Sequence, residues 1–145
     1  MTTNKRQSVS FRSKTKLWLS SYAKISKELL IFYYFRVVVV LEGRVYVYNF
    51  ADLRLIDAID TCNNPKGLCA LNSDGKNAVL VTPANQKGYV RVAHYDQPGS
   101  SSTFMAHEAA VEAMVLNKTG EILATASETG TIIRLFKTKI MNGEQ

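Results

Sequence analysis

Residues 122–137, with the sequence ILATASETGTIIRLFK, contain two runs of β-branched and apolar residues on either side of the polar turn 127–130. This pattern predicts a β-hairpin. Two similar patterns occur earlier in the chain, around Gly43 and Gly88, and the three turn glycines lie 45 and 42 residues apart. Such an interval is typical of the blade repeat of a β-propeller. An all-β fold is therefore predicted, and a parallel α/β fold is excluded because no helical pattern separates the strands.

The remaining strands of the repeat can be placed around these hairpins. Residues 67–71 and 111–116 precede hairpins, as inner first strands would, whereas residues 55–59 and 103–105 follow them, as outer fourth strands would. The body of the chain thus holds about two and a half four-stranded blades. Closed propellers have roughly four to eight blades. We therefore expect a partial β-propeller whose open faces and strand edges make the isolated chain prone to association.

Positive charge is concentrated at the beginning of the chain. The whole chain has a net charge of +6, but residues 1–36 carry eight basic side chains against one acidic, whereas residues 37–145 carry ten against eleven. A body so close to neutrality argues against nucleic acid as a partner, because phosphate affinity needs clustered Lys and Arg on the folded surface. The division at residue 36 predicts a basic extension followed by a propeller fragment over residues 37–145.

The basic extension allows several interpretations. Residues 1–16 are polar and lack acids, which is typical of disorder, whereas residues 17–35 have apolar side chains near helical spacing and predict a basic amphipathic helix. Such a segment could act as an organelle transit peptide, lie on an anionic membrane or add a strand to the body. The expected structure before residue 37 is irregular or helical.

No pattern in the chain indicates an enzyme, a cofactor or a metal site. Cys62 and Cys69 do not have the spacing of a zinc or redox pair, and Cys69 is expected to be a small core residue. His94 is expected to be a hydrogen-bonded histidine late in a strand. No stretch has the about 18 apolar residues that span a bilayer. A non-enzymatic protein, either soluble or peripheral to a membrane, is predicted.

Six short blocks in the body carry a resemblance to a known family. In order and at matching intervals, they resemble the PROPPIN family of phosphoinositide-binding propellers, of the autophagy-related 18 type, from residue 37 to about residue 138. The resemblance implies WD-type central blades of a seven-bladed parent, whereas residues 1–36 do not match. The blocks are VVVVLE at 37–42, YVYNFADL at 46–53, NPKGLC at 64–69, QKG at 86–88, AHE at 106–108 and ATASETGT at 124–131.

The resemblance also implies a partial lipid-binding pocket. Family members hold the phosphatidylinositol 3-phosphate headgroup at the rim between blades with a histidine, hydroxyl side chains and arginines around an Arg-Arg-Gly sequence. Arginine suits phosphate because its planar fork donates two parallel hydrogen bonds. The matching positions here are His107, Ser127, Thr131 and Arg134. In many WD-type propellers, however, such a histidine and hydroxyl belong to an internal hydrogen-bond network, and this alternative stays open.

The implied function is that of an adaptor in autophagosome formation that binds phosphatidylinositol 3-phosphate and phosphatidylinositol 3,5-bisphosphate. The implied protein partner is the autophagy-related 2 lipid-transfer protein, and the implied location is cytoplasmic and peripheral on pre-autophagosomal, endosomal or vacuolar membranes. No two arginines are adjacent in the chain. Impaired lipid binding is therefore expected. The alternatives are a WD-type protein-interaction scaffold without lipid binding and a non-functional truncated product.

Overall fold

A computed structural model of the chain describes residues 29–33, 36–72, 77–97 and 99–139. All of the regular structure in these residues is β-strand. The described residues contain no helix that is long and apolar enough to cross a membrane. The strands are β1 (Leu29–Tyr33), β2 (Arg36–Val40), β3 (Arg44–Asn49), β4 (Leu55–Asp60), β5 (Ala70–Leu71), β6 (Val79–Pro83), β7 (Tyr89–His94), β8 (Ser100–Met105), β9 (Val111–Leu116), β10 (Ile122–Ser127) and β11 (Ile133–Lys137).

The strands form three separate antiparallel sheets in chain order. The first sheet contains β1 to β4, the second contains β5 to β8, and the third contains β9 to β11. Within each sheet, every strand pairs with its neighbour along the chain, as in the blades of a propeller. The all-β, partial-propeller prediction is confirmed.

Each hairpin at the centre of a sheet closes through a short turn, as predicted. In the first sheet Val40 pairs with Val45, and the Leu41 amide donates to the Arg44 carbonyl at 2.8 Å. In the third sheet Ala126 pairs with Ile133, and the turn between them contains Gly130 at a φ of 68°. A left-handed conformation of this kind favours glycine.

The core lies between the sheets because alternate side chains of one strand point to opposite faces. Leu80 packs against Val38 and Val47 of the first sheet. Its neighbours Val79 and Val81 belong instead to a cluster shared with the third sheet. All five residues of strand β6 are therefore buried. Burial of each valine or leucine side chain stabilises the folded state by about 1.5–3 kcal/mol.

The prediction of a helix over residues 17–35 is wrong for residues 29–33. Residues Leu29–Tyr33 form a strand that pairs with β2, with Leu30 opposite Val39. The physical reason is that β2 is buried and needs a hydrogen-bonding partner on its inner edge, which outweighs the helical spacing of the apolar residues. The interpretation as an added strand is thus the correct one for these five residues. The other interpretations fall on residues 1–28, outside the described part of the chain.

The inner strand predicted at residues 67–71 is shorter than expected. It includes only Ala70–Leu71, because the preceding residues form a turn. Gly67 has a φ of 64°, and its amide donates to the Asn64 carbonyl at 3.1 Å. The Asn64 side chain bonds both the amide and the carbonyl of Leu68, which holds this turn in place.

Candidate functional site

The candidate site lies where the second sheet meets the third. We call this region the second seam, and it comprises residues 106–110, which lead from β8 to β9, with the β6–β7 and β10–β11 turns. The Gly88 carbonyl of the β6–β7 turn accepts the Ala106 amide at 2.9 Å and the His107 amide at 3.0 Å. A Cβ atom at Gly88 would lie 1.9 Å from the His107 carbonyl oxygen, and Gly88 has a φ of 81°. Glycine is therefore required for the two segments to meet.

The β10–β11 turn is attached to the same segment through Glu128. Its amide donates to the Ala110 carbonyl at 2.9 Å, and its carboxylate accepts the Ala110 amide at 3.4 Å. The same carboxylate lies 3.0 Å from Lys87 Nζ. The hydrogen bond from Lys87, followed by that from Ala110, lowers the pKa of Glu128. Three segments that are distant in sequence thus converge at the second seam.

His107 is buried in this seam, with 4% of its surface exposed. Its Nε2 lies 2.9 Å from Oγ1 of Thr125, which is also buried. The two groups satisfy each other, as buried polar groups require. This contact is the one expected if the histidine belongs to an internal hydrogen-bond network. Nδ1 is the other polar atom of the His107 ring.

Arg134 lies next to this pair. It is the register partner of Thr125, and its guanidinium donates to the Ala106 carbonyl at 2.7 Å. No carboxylate pairs with Arg134 among the residues that the structure describes. A guanidinium has five N–H donors, so an anion can still be bound after one is used. The structure therefore brings Arg134 and His107 together around one peptide bond.

Ser127 and Thr131 lie at the two ends of the β10–β11 turn. The Gly130 amide donates to the Ser127 carbonyl at 2.9 Å, and the Ser127 hydroxyl lies 2.7 Å from the Thr129 hydroxyl. Ser127 is buried, whereas Thr131 is exposed. Within the described residues, no hydrogen bond joins either side chain to His107 or Arg134. The four predicted residues share one seam but form two groups.

Sequence reasoning missed three residues that build this site. Thr125 orients His107, Gly88 permits the close approach, and Lys87 holds Glu128. The signal that could have found Thr125 is its position two residues before Ser127, because residues two apart on a strand share a face. Gly88 was recognised only as a turn residue. The partner of Lys87 lies 41 residues away, and no local pattern indicates it.

Two predictions about residues outside the site are confirmed. Cys69 packs against the core between the first and second sheets, and burial raises the pKa of its thiol to about 12. Both cysteines are unbridged. His94, at the end of β7, lies 2.8 Å from the Thr138 carbonyl through Nε2. The described residues contain no cluster of side chains that could hold a metal ion.

Comparisons with known proteins agree with this architecture. Autophagy-related protein 18e of Arabidopsis thaliana is 43% identical over 101 residues, which are 69% of this chain and 26% of that protein. WD repeat domain phosphoinositide-interacting protein 1 of Xenopus laevis is 37% identical over 103 residues, which are 70% of this chain and 24% of that protein. Among solved structures, Hsv2 of Kluyveromyces lactis shares the fold, with a TM-score of 0.64 and 24% identity over 79% of this chain and 35% of that chain.

The chain spans about a quarter of the length of the curated relatives that it matches. The PROPPIN family model matches residues 1–144. This match includes residues 1–36, where the motifs alone showed no resemblance. Because the family model covers almost the whole sequence and the fold is that of solved family members, this chain belongs to the PROPPIN family.

Proposed function

We propose that the second seam binds the phosphate of a phosphoinositide headgroup, and that the protein acts as a membrane-recruitment adaptor in autophagy. The observation that carries the proposal is the state of Arg134, whose guanidinium donates to a backbone carbonyl and pairs with no carboxylate of the described residues. A cation that is oriented but not neutralised is suited to an anionic ligand. Arginine forms bidentate, charge-assisted hydrogen bonds with phosphate oxygens.

The other predicted residues support Arg134 in different ways. The bond between His107 and Thr125 fixes the segment whose Ala106 carbonyl holds the guanidinium. The exposed hydroxyl of Thr131 can donate to a phosphate oxygen at the end of the turn. Ser127 bonds Thr129 in the same turn, so its hydroxyl would have to rotate toward a ligand. Lys87 is paired with Glu128 and adds no net charge.

The names of the relatives point in the same direction. Those names describe autophagy-related proteins and a protein that interacts with phosphoinositides. For this protein, action at pre-autophagosomal, endosomal or vacuolar membranes and association with the autophagy-related 2 lipid-transfer protein remain predictions. The family resemblance assigns part of the pocket wall to an Arg-Arg-Gly sequence, and the 145 residues contain no adjacent arginines. We therefore expect weak binding by this chain alone.

Liposome sedimentation tests the proposal. Vesicles with phosphatidylinositol 3-phosphate are compared with matched vesicles that carry unphosphorylated phosphatidylinositol, both at physiological ionic strength. Salt screens the basic residues 1–36 beyond about 8 Å, so that headgroup selectivity becomes visible. We expect Arg134→Gln to reduce the preference for the phosphorylated lipid about tenfold, since a charge-assisted bond is worth 1.4 kcal/mol or more.

The control is Lys137→Gln, which removes one exposed positive charge from the same strand. It should lower binding to all anionic vesicles slightly and leave the preference unchanged. Equal preference in the wild-type chain and Arg134→Gln would contradict the site. An absence of any preference in the wild-type chain would favour the alternative function of a WD-type protein-interaction scaffold.

A further inference from the structure

A second polar cleft lies between the first and second sheets, in a region that we call the first seam. It has a volume of about 340 Å³ and opens between β4 of the first sheet and β7 and β8 of the second. Known small-molecule sites begin at about 300 Å³, so the cleft has room for one small chemical group. Its polar lining includes Arg36, Asp57, Arg91, Tyr95, Ser100 and Ser101.

Asp57 is already neutralised within this cleft. Its Oδ2 lies 3.2 Å from the Arg91 guanidinium and accepts the Tyr95 hydroxyl at 3.0 Å. Both side chains of the Asp57–Arg91 pair are largely shielded from solvent, with 24% and 28% exposed. These two residues therefore contribute no net charge to the cleft.

Among the described residues, no carboxylate pairs with Arg36. One of its terminal nitrogens donates to the Tyr95 carbonyl at 3.2 Å, and its guanidinium lies 5.1 Å from the centre of the Tyr95 ring. Its Nε is buried and makes no hydrogen bond in the described structure. A buried N–H without an acceptor destabilises the fold and is satisfied when a ligand supplies an acceptor. Arg36 thus brings a positive charge to the cleft and keeps one buried N–H donor without an acceptor among the described residues.

Two further titratable side chains, Tyr95 and His94, line the cleft. Burial, and then the charge of Asp57, raise the pKa of Tyr95, so its phenol stays protonated and uncharged. His94 also lines the cleft, and its Nε2 must donate to the Thr138 carbonyl because a carbonyl only accepts. With two arginines and one aspartate, the cleft has an excess of one positive charge.

We propose that the cleft of the first seam binds a carboxylate group on a short apolar stem. A carboxylate carries a single negative charge and so matches the charge of the cleft, whereas a phosphate dianion would exceed it and lie close to Asp57. Arg36, Ser100 and Ser101 line the cleft and carry guanidinium and hydroxyl donors. Ile56 and Ala93 line the same cleft and provide apolar contact for the stem. The inference concerns a different pair of sheets and does not depend on the lipid site.

The carboxylate could come from a free small acid or from a glutamate side chain of a partner. Butyrate represents the first source, and a glutamate residue blocked at both ends by acetyl and amide groups represents the second. Binding is followed in the full chain by the ¹⁵N–¹H signal of Arg36 Nε, which moves downfield when it gains an acceptor. We expect a saturable shift with at least one probe and none with inorganic phosphate. If only blocked glutamate binds, the ligand is a protein side chain.

Two variants sharpen the test. Arg36→Gln should weaken binding about tenfold, because it removes the positive charge and a charge-assisted donor from the cleft. Asp57→Asn should raise the net charge of the cleft and allow phosphate to bind. Lys137→Gln, which removes an exposed positive charge outside the cleft, should bind butyrate or glutamate as the wild type does. If neither probe moves the Arg36 Nε signal of the folded wild-type chain, or if phosphate moves it equally, the proposal is wrong.

Discussion

The two seams share one backbone arrangement but differ in the groups that they bury. In the second sheet Thr82 pairs with Arg91, and in the third sheet Thr125 pairs with Arg134 at the equivalent register positions. The hydroxyl of Thr125 bonds His107 across the second seam. Among the described residues, the buried hydroxyl of Thr82 has no hydrogen-bond partner. The repeat therefore fixes where a threonine and an arginine lie, but it does not fix what they bind.

The difference arises from single positions in the connecting segments. The amides of Thr61 and Ala106 both donate to the glycine carbonyl of the preceding hairpin turn, so the next residues, Cys62 and His107, are equivalent. Cysteine cannot replace imidazole as a strong hydrogen-bonding partner. The outer strands also differ at one equivalent position. Asp57 lies opposite Val47 in the first sheet, whereas Ser102 lies opposite Val92 in the second sheet. Arg91 is consequently neutralised, whereas no carboxylate of the described residues pairs with Arg134.

Substitution of Gly88 by alanine is expected to disrupt the second seam most strongly. The added Cβ would lie 1.9 Å from a backbone oxygen at a positive φ, so the segment that carries His107 must move. We expect a loss of about 3 kcal/mol or more in the free energy of unfolding, measured by urea denaturation. Gly43→Ala is the matched control, because nothing lies within 4 Å of its added Cβ. Equal losses in the two variants would contradict the close contact.

Removal of the carboxylate that distinguishes the first seam is expected to have the next largest effect. Asp57→Ala leaves the partly buried Arg91 and the Tyr95 hydroxyl without their common acceptor. A loss of about 1–3 kcal/mol in unfolding free energy should follow. Asp60→Ala, which breaks the exposed pair with Arg44, should cost less than about 1 kcal/mol. Thermal and urea unfolding would reveal the order, and a larger loss for Asp60→Ala would refute this assignment.

The first seam should become more like the second when it receives the missing histidine. Cys62→His offers a partner to the buried Thr82 hydroxyl, and a gain of about 0.5–1.5 kcal/mol in unfolding free energy is expected. The gain should disappear when Thr82→Val is combined with it, because valine removes the hydroxyl. A gain that survives in the double variant would show that the histidine stabilises the seam by some other contact.

The smallest expected effect is a pH dependence confined to the second seam. Lys87 and the Ala110 amide lower the pKa of Glu128 in the folded chain. The associated stabilisation is therefore complete above the unfolded value of about 4.3 and is lost as pH falls through the lower folded value. Stability measured by urea unfolding between pH 6 and about pH 3 should fall less steeply in Glu128→Gln than in the wild type. Identical slopes would refute this contribution.

The sequence by itself determined the strand pattern, the three hairpins and the repeat interval. These features depend on short runs of β-branched residues and on turn residues, and the alternation of side chains along a strand is a local property. The four candidate site residues, His107, Ser127, Thr131 and Arg134, came instead from the family resemblance. The sequence also predicted correctly that Cys69 belongs to the core and that His94 is hydrogen-bonded.

Only the tertiary structure decided which groups are neutralised and which segments become strands. Residues Leu29–Tyr33 have helical apolar spacing, but the unpaired backbone of β2 recruits them into the first sheet. Asp57 meets Arg91 across 34 residues of sequence, and Ala106 meets Arg134 across 28. Charge compensation depends on distances between sheets, which no local pattern contains. The sequence could therefore locate the arginines, but only the packing of the sheets decided which of them pairs with a carboxylate among the described residues.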